Sequence, residues 1–252
     1  MTPTSYPVLI CLCLLVAGCE LFQNSAEPVV DIPSEFVLEP FEEITESGRE
    51  FQIRLRTVAD FECSNYSVDV ILNHEPRTYE LELRKLVVPE LCAPGEEPAR
   101  AEASAPTPVI GQTDFRVILR NLIESEGRLN FSQEAYRFEF ETQNGFEFSE
   151  KELLRLPQRA VWGSVQHAEE QVRTDFWNEV ATLDHELPPP GYYGYFRATG
   201  DAQNFGESTG AKSAAIYLND PLDDLRQLIE DYRATYGTAI QISLRTGTGE
   251  LL

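Results

Sequence analysis

The sequence predicts an all-β region followed by an α+β region, with the change near residue 157. Between residues 36 and 156 the apolar residues alternate with a period of two, which is typical of half-buried strands. From Arg159 onward, two stretches have apolar residues at every third or fourth position, which indicates amphipathic helices between short strands. A third observation, an apolar stretch that ends at Cys19, concerns location and not fold.

We interpret the first 18 residues as a removable signal peptide. The apolar run at residues 8–15 is about half the length of roughly 20 residues that a transmembrane helix needs. The stretch Val16-Ala17-Gly18-Cys19 that follows resembles the lipobox of bacterial lipoproteins. The resemblance implies that Cys19 supplies the thiol that receives a diacylglyceryl group. The alternative is an ordinary cleaved signal that leaves Cys19 unmodified.

The lipobox resemblance implies a location in the bacterial cell envelope. Acyl chains contribute about 0.8 kcal/mol per buried CH₂, so a lipidated Cys19 would hold the protein to a membrane almost permanently. Glu20 follows Cys19, and this is similar to Gram-negative lipoproteins that are released to the outer membrane. We therefore expect a lipid-anchored outer-membrane protein. The polar, proline-containing residues 19–34 would form the tether.

Length and charge limit the possible partners. The chain has 252 residues and a formal net charge of −22. That length allows one large domain or two small ones, each with a hydrophobic core. So acidic a surface repels nucleic acids and anionic lipid headgroups, so we expect no nucleic-acid partner.

The five cysteines divide by position. Cys11 and Cys13 belong to the predicted signal peptide, and Cys19 is the predicted lipidation site. Cys63 and Cys92 remain as a single pair in an oxidising compartment, which predicts a disulfide. Closing a loop of about 30 residues would contribute roughly 3 kcal/mol to stability. A metal site is the alternative, although no histidine or further cysteine lies at ligand spacing from either residue.

Five alternating stretches predict strands in the first region, at residues 51–56, 66–70, 79–84, 115–119 and 136–140. Turn signals separate them, and each stretch has one polar face, which favours an antiparallel β-sandwich over residues 35–156. Residues 93–111 are rich in proline, alanine and glutamate, and we predict a long loop there.

This first region resembles the immunoglobulin-like domains of Bacteroidetes-type lipoproteins of unassigned function. The residues that carry the resemblance are Gly48, Phe51-Gln52-Ile53, Cys63-Ser64-Asn65-Tyr66, Pro89, Cys92 and Pro98-Ala99. The resemblance covers about half the chain. The tryptophan that antibody-type domains carry between their cysteines is missing here. The resemblance implies an immunoglobulin-like fold and an envelope location, and it implies no activity.

The second region, residues 157–252, reads as the order β-α-β-β-α-β, the ferredoxin-like pattern. We predict strands at 161–165, 192–198, 214–218 and 239–245, helices at 167–183 and 220–237, and a flexible connection at 200–212. The second helix has clear end signals. Asp220 suits the N-cap, Pro221 suits the first helical position and Gly237 suits the position after the last turn.

No catalytic or metal-binding motif appears in the sequence. His74 lies in a predicted turn, and a metal site at His167 would need further ligands that the sequence does not show. Asp184-His185-Glu186 resembles a metal-ligand group, but a cationic His185 at a helix C-terminus is already favoured by the helix dipole. No nucleophile elbow, zinc motif or phosphate loop is present. The carboxylates are so abundant that no catalytic pair stands out. We therefore expect neither a cofactor nor a metal.

One constellation suggests a binding surface. In a ferredoxin-like domain one sheet face packs on both helices and the other is open, and strand parity assigns six aromatic and cationic residues to the open face. They are Trp162, Tyr193, Tyr195, Arg197, Tyr217 and Arg245. Such residues suit stacking on sugars or anchoring of a protein partner. The alternative is that this face packs on the β-sandwich or forms a dimer.

Three functional hypotheses follow. The first is a non-catalytic binding or interaction module with a protein or glycan partner, anchored to the membrane by its lipid. The second is an envelope hydrolase that uses carboxylates we cannot identify. The third is a structural spacer, which burial of the six-residue face between the two regions would favour.

Overall fold

The computed structural model describes residues 34–200, 204–208 and 210–252, and most of them are in β-strands. The predicted signal peptide, the predicted lipidation site Cys19 and the predicted tether up to residue 33 lie outside the described residues. No helix in the described part of the chain is long and apolar enough to cross a membrane.

The first region forms one curled ten-stranded sheet, with the order β10-β8-β7-β6-β4-β3-β5-β2-β1-β9. The strands are β1 Phe36–Thr45, β2 Gly48–Cys63, β3 Ser67–Glu75, β4 Thr78–Val87, β5 Pro94–Pro106, β6 Gly111–Leu119, β7 Ile123–Phe131, β8 Ala135–Phe140, β9 Phe146–Phe148 and β10 Glu152–Leu154. The core inside the curl is rich in aromatic rings, and Phe51, Tyr79, Phe115 and Tyr136 are among its largest fully buried side chains.

Strands β9 and β10 bring the two edges of the curled sheet together. Strand β9 pairs in parallel with β1, with Phe36 opposite Phe146. A few residues later β10 pairs antiparallel with β8, with Leu153 opposite Tyr136. The segment therefore crosses from one edge of the sheet to the other, and this crossing encloses the core.

Backbone hydrogen bonds join all ten strands into one sheet, whereas a sandwich of two sheets was predicted. The difference comes from strand β5, which pairs with both β2 and β3 and lies in the stretch predicted to be a long loop. In this strand alanines alternate with polar residues, and Ala99 and Ala105 are buried. Alanine has so small an apolar surface that its alternation gives a weak hydrophobic signal, so the loop prediction was wrong.

A disulfide joins the end of β2 to the segment that precedes β5. Cys63 and Cys92 are bonded, with their Cα atoms 5.2 Å apart. This is the pair that the sequence predicted. Cys63 is itself buried, so the bond fixes the start of β5 against the end of β2.

The second region forms a smaller sheet with the order β12-β16-β11-β17, and β15 pairs beside β12 on the outer side of β16. Its elements are β11 Ala160–Gln166, α1 Glu170–Val180, β12 His185–Glu186, β15 Asn204–Ser208, β16 Ala211–Leu218, α2 Leu222–Tyr236 and β17 Gln241–Thr246. All neighbouring strands are antiparallel.

Both helices pack on one face of this smaller sheet. Phe176 of α1 and Leu225 and Ile229 of α2 are buried against Ile242 and Leu244 of β17, as the helical stripe and the strand parity predicted. The structure does not show the predicted N-cap role of Asp220. Its carboxylate accepts a hydrogen bond from the Asp184 backbone N–H at 2.6 Å, and no side chain caps α2.

The predicted strand at 192–198 is absent as a continuous element. Two short strands, β13 Gly191–Tyr192 and β14 Arg197–Ala198, pair with each other and form a small hairpin. Gly194 has a φ of 79° between them, a conformation that favours glycine and reverses the chain. The hairpin partner of β16 is β15, which lies within the predicted flexible connection at 200–212.

Candidate functional site

Three of the six predicted face residues lie on the smaller sheet, on the side opposite the helices. Trp162 of β11 lies between Ala215 of β16 and Arg245 of β17, and Tyr217 lies further along β16. The parity argument placed these three side chains correctly relative to the helix-facing residues. The other three, Tyr193, Tyr195 and Arg197, belong to the β13–β14 hairpin and not to a strand of the sheet.

The sequence analysis expected these rings to be exposed together, and most of them are buried. Trp162, Tyr193 and Tyr217 are only 6%, 3% and 7% exposed. They share an apolar cluster with Ile44 of the ten-stranded sheet and with Leu156. The β13–β14 hairpin and strand β1 thus cover part of the face, which is the packing on the first region that the sequence analysis gave as the alternative.

Tyr195 connects the two sheets. Its ring lies 4.8 Å from the Phe41 ring of β1 and 5.0 Å from the Trp162 ring of β11, between centroids. Its hydroxyl accepts a hydrogen bond from the Ile44 backbone N–H at 2.8 Å. Burial raises its pKa above the usual value for tyrosine.

The buried tyrosine hydroxyls hydrogen-bond to one another and to the backbone. Tyr217 donates to the Tyr193 hydroxyl at 3.1 Å, and Tyr193 donates to the Pro189 carbonyl at 3.0 Å. Burial raises the pKa of both, and for Tyr217 the bond to Tyr193 raises it further. Both hydroxyls therefore stay protonated at neutral pH, which suits a packing role.

The buried carboxylate of Glu42 is hydrogen-bonded next to the contact between the two sheets. Glu42 is 3% exposed, and its oxygens accept hydrogen bonds from Arg49 at 2.8 Å, Arg155 at 2.8 Å and Tyr136 at 2.6 Å. Arg49 also donates to the Leu156 and Gly247 carbonyls at 2.7 Å each. Because both carboxylate oxygens are occupied, this cluster holds the sheets together and is not available to a substrate. The sequence analysis did not single it out.

A groove of about 620 Å³ remains open on the uncovered part of the face. Four of the six predicted residues line it: Trp162, Tyr195, Arg197 and Arg245. Its floor has a row of serines, because Ser213, Ser164 and Ser243 lie directly opposite one another on β16, β11 and β17. Strand parity predicted that Ser243 faces outward, but none of the three serines was predicted as a site residue, although all have the parity of the predicted face. Their alignment depends on the register of three strands that are far apart in sequence.

The groove presents a cation and a row of hydroxyls. Arg197 pairs with Glu150, and its guanidinium lies over the Tyr192 ring. Arg245 is exposed and has no carboxylate partner within the described residues. The three serine side chains likewise make no hydrogen bond to another residue that the structure describes. In so acidic a chain, this guanidinium on the same sheet face as three serine hydroxyls forms a site that could hold an anionic, hydroxylated ligand.

A second cleft, of about 630 Å³, lies beyond the Arg197–Glu150 pair and has mixed charges. Its carboxylates already have partners. Tyr192 donates to Glu39, Arg54 lies 3.7 Å from Glu102, and Arg197 pairs with Glu150. These pairings account for the three carboxylates of the cleft.

The histidines make local contacts. The His167 Nδ1 accepts a hydrogen bond from the Glu169 backbone N–H at 3.0 Å, next to the start of α1. The His74 ring packs on Tyr79, with 5.0 Å between centroids. The His185 Nδ1 lies 2.8 Å from the Leu183 carbonyl. Among the residues with a described placement, no three histidine, cysteine, aspartate or glutamate side chains are grouped so that they could hold a metal.

Compared with family models, curated proteins and solved structures, the chain matches none of them. The groove is therefore interpreted from its own chemistry. The fold and the groove together define a β-rich protein with a concave polar surface next to the contact between its two sheets.

Proposed function

We propose that this protein is a lipid-anchored, non-catalytic binding protein of the bacterial outer membrane, and that its groove holds an acidic glycan. One observation carries the proposal. Arg245 has no carboxylate partner in the described part of the chain and lies beside the aligned Ser164 and Ser243 hydroxyls.

The lining of the groove suits a sugar that bears a carboxylate. Serine hydroxyls both donate and accept hydrogen bonds, as sugar hydroxyls require, and a planar guanidinium can bind a carboxylate with two parallel bonds. Half-buried Tyr195 supplies an apolar wall, to which Trp162 adds only its 6% exposed surface. The volume of about 620 Å³ lies within the range of about 300–1,000 Å³ of typical ligand pockets.

A glycan fits this groove better than a protein or a nucleic acid does. Protein interfaces use exposed aromatic anchors, and here Trp162, Tyr193 and Tyr217 are buried. A net charge of −22 repels nucleic acids. The lipobox resemblance at residues 16–19 supports a place beside envelope glycans.

Calorimetric titration with two disaccharides tests the proposal. N-Acetylglucosaminyl-N-acetylmuramic acid carries a carboxylate, and N,N′-diacetylchitobiose does not. We expect the acidic sugar to bind more tightly, and Arg245→Gln to weaken its binding about tenfold or more, as for loss of a charge-assisted hydrogen bond. Arg77→Gln is the matched control, because Arg77 is an exposed arginine in the turn between β3 and β4. Equal affinity of the wild type and Arg245→Gln would contradict the proposal.

We also propose a specific fold for each of the two regions. A ferredoxin-like second region is supported by the antiparallel order β17-β11-β16 with β15 outermost, and by two helices on one face. An immunoglobulin-like ancestry of the first region is supported by its antiparallel pairs and its disulfide. The continuous path through all ten strands counts against that ancestry.

A structural spacer is the second candidate function, and the burial of the aromatic face favours it. Trp162, Tyr193 and Tyr217 pack between the two sheets, which makes the contact rigid. A spacer would bind neither disaccharide, and variants in the groove would change nothing in the titration. The titration therefore distinguishes the two functions.

A further inference from the structure

Exposed apolar side chains concentrate at one end of the ten-stranded sheet. Six of the ten exposed large apolar residues in the described part of the chain lie there, in or next to the ends of β2 and β4 and in the β6–β7 turn. They are Val58, Leu86, Val87, Val88, Leu91 and Leu122. Leu91 and Leu122 are each 84% exposed, and the grouping of six such residues at one end is the informative feature. We call these six residues the apolar end.

The described chain starts at this same end. The Glu35 carbonyl accepts a hydrogen bond from the Val58 N–H at 2.9 Å, and the Glu35 carboxylate pairs with Arg120 at 2.6 Å. Arg120 belongs to the turn that carries Leu122. Strand β1 then runs away from this end, and its far end, at Ile44, contacts the second region.

An apolar groove of about 420 Å³ lies at this end of the sheet, and Val58 and Leu86 of the six residues line it. Phe36, Phe61 and Leu83 line it, and Arg84, Lys85 and Arg120 border it. Long cationic side chains beside apolar surface are typical of proteins at a membrane interface, where the stems pack on apolar groups and the charges stay in water.

We propose that the apolar end lies against the lipid bilayer, with its exposed leucines and valines in the interfacial layer. This inference rests on the proposed lipid anchor at Cys19. About 15 residues separate Cys19 from Ser34, and so short a chain spans at most about 50 Å, which keeps the end where the chain starts close to the membrane.

The contact is apolar and not electrostatic. Six exposed carboxylates lie at this end and the whole chain carries a net charge of −22, so anionic headgroups would repel the protein. They are Glu35, Asp60, Glu62, Glu90, Glu96 and Glu97. Shallow insertion of Leu91 and Leu122 needs no headgroup charge. This orientation turns the far end of β1, the second region and its groove away from the bilayer.

Tryptophan quenching in vesicles of brominated phosphatidylcholine tests the inference. The full chain is prepared as Leu122→Trp and as the matched control Val109→Trp. Val109 is 73% exposed, in the loop between β5 and β6 at the opposite end of the sheet. Trp162 and Trp177, the native tryptophans, are buried and contribute the same background to both variants. We expect a larger loss of emission for Leu122→Trp than for Val109→Trp.

Equal quenching of the two variants, or no quenching of either, would overturn the inference. Self-association through this end, seen by sedimentation with no quenching difference, would assign it instead to a second copy of the chain. Both variants are also prepared with Cys19→Ala. A quenching difference that persists without Cys19 would support an apolar contact that is independent of the anchor, whereas a difference that requires Cys19 would support both. The membrane contact of the apolar end and the lipid anchor at Cys19 can therefore be refuted independently of each other.

Discussion

The Tyr195 hydroxyl and the Ile44 backbone N–H form a 2.8 Å hydrogen bond between residues 151 positions apart in the chain. The bond joins the β13–β14 hairpin to strand β1 of the ten-stranded sheet. The Tyr195 ring lies between Phe41 and Trp162, so one side chain links the two sheets through both its ring and its hydroxyl.

Removing the Tyr195 hydroxyl should destabilise the protein. Tyr195→Phe leaves the Ile44 N–H without its partner, which we expect to lower the free energy of unfolding by about 1–3 kcal/mol. Tyr195→Ala also removes the ring and should cost more. Urea denaturation measures both. Tyr66→Phe is the control, because the Tyr66 ring stacks on Phe61 and its hydroxyl makes no hydrogen bond to a described residue. Equal stability of Tyr195→Phe and the wild type would show that the bond contributes nothing.

The carboxylate of Glu42 should contribute much more to the free energy of unfolding than an exposed carboxylate does. Glu42→Gln leaves Arg49 and Arg155, whose side chains are 20% and 15% exposed, without their counter-charge. We expect a loss of about 3–5 kcal/mol, as for breaking a buried ion pair. Glu152→Gln, which breaks the exposed pair with Arg137, should cost less than about 1 kcal/mol. Similar losses for the two variants in chemical denaturation would contradict the structural role of Glu42.

Buried tyrosines should make the fold sensitive to alkali. Burial raises the pKa of Tyr79 from 10.0 to about 12. Above pH 10 the unfolded chain therefore loses this proton while the folded chain keeps it, so the free energy of unfolding should fall as the pH rises from 10 to 12. Below pH 10 this contribution is constant. Tyrosinate absorbance, followed together with unfolding, measures the effect.

Tyr79→Phe is the matched variant for the alkaline experiment. It removes one titrating group and should make the decline in stability above pH 10 shallower. It also removes the 2.6 Å bond to the Pro106 carbonyl, so stability at neutral pH should fall slightly. Burial raises the pKa of Tyr136, Tyr192 and Tyr217 as well, so part of the decline should remain. An unchanged slope would exclude Tyr79 as a contributor.

The lipid anchor can be tested without a structure. If Cys19 is acylated, Cys19→Ala should move the protein from the membrane fraction to the soluble fraction, because the acyl chains supply the membrane affinity. Mass spectrometry of the mature amino terminus should show the diacylglyceryl group on the wild type alone. Unchanged partitioning would favour the ordinary cleaved signal.

Local patterns predicted those features that depend on neighbouring residues. The alternation of Ile240, Ile242 and Leu244 predicted which side of β17 meets the helices, and Leu225 and Ile229 do lie there. The cysteine inventory predicted the Cys63–Cys92 bond, because only one pair remained. In both cases the decisive information lies in the residue types and their spacing.

Other features could not be predicted from the sequence, because the hydrophobic pattern was weak or because the feature depends on residues far away in the chain. The alternating alanines of β5 have too little apolar surface to show a strand, although Ala99 is fully buried. The stretch at 192–198 was predicted to be one strand, and it is split at Gly194, where φ is 79° and Phe41 of β1 leaves no room for a Cβ. A contact with a residue so far away in sequence leaves no periodicity to read.

The sequence by itself determined that Trp162, Tyr217 and Arg245 share a face of the smaller sheet, because strand parity depends only on the spacing of residues along the chain. Only the tertiary structure decided which of them remain accessible. Trp162 and Tyr217 are buried because β1 and the β13–β14 hairpin, both from outside their own strands, pack over them. Arg245 and the serine row stay open because that cover ends before it reaches them. The periodicity of a strand predicts the direction in which each side chain points. The exposure of that side chain depends on which distant residues pack against it.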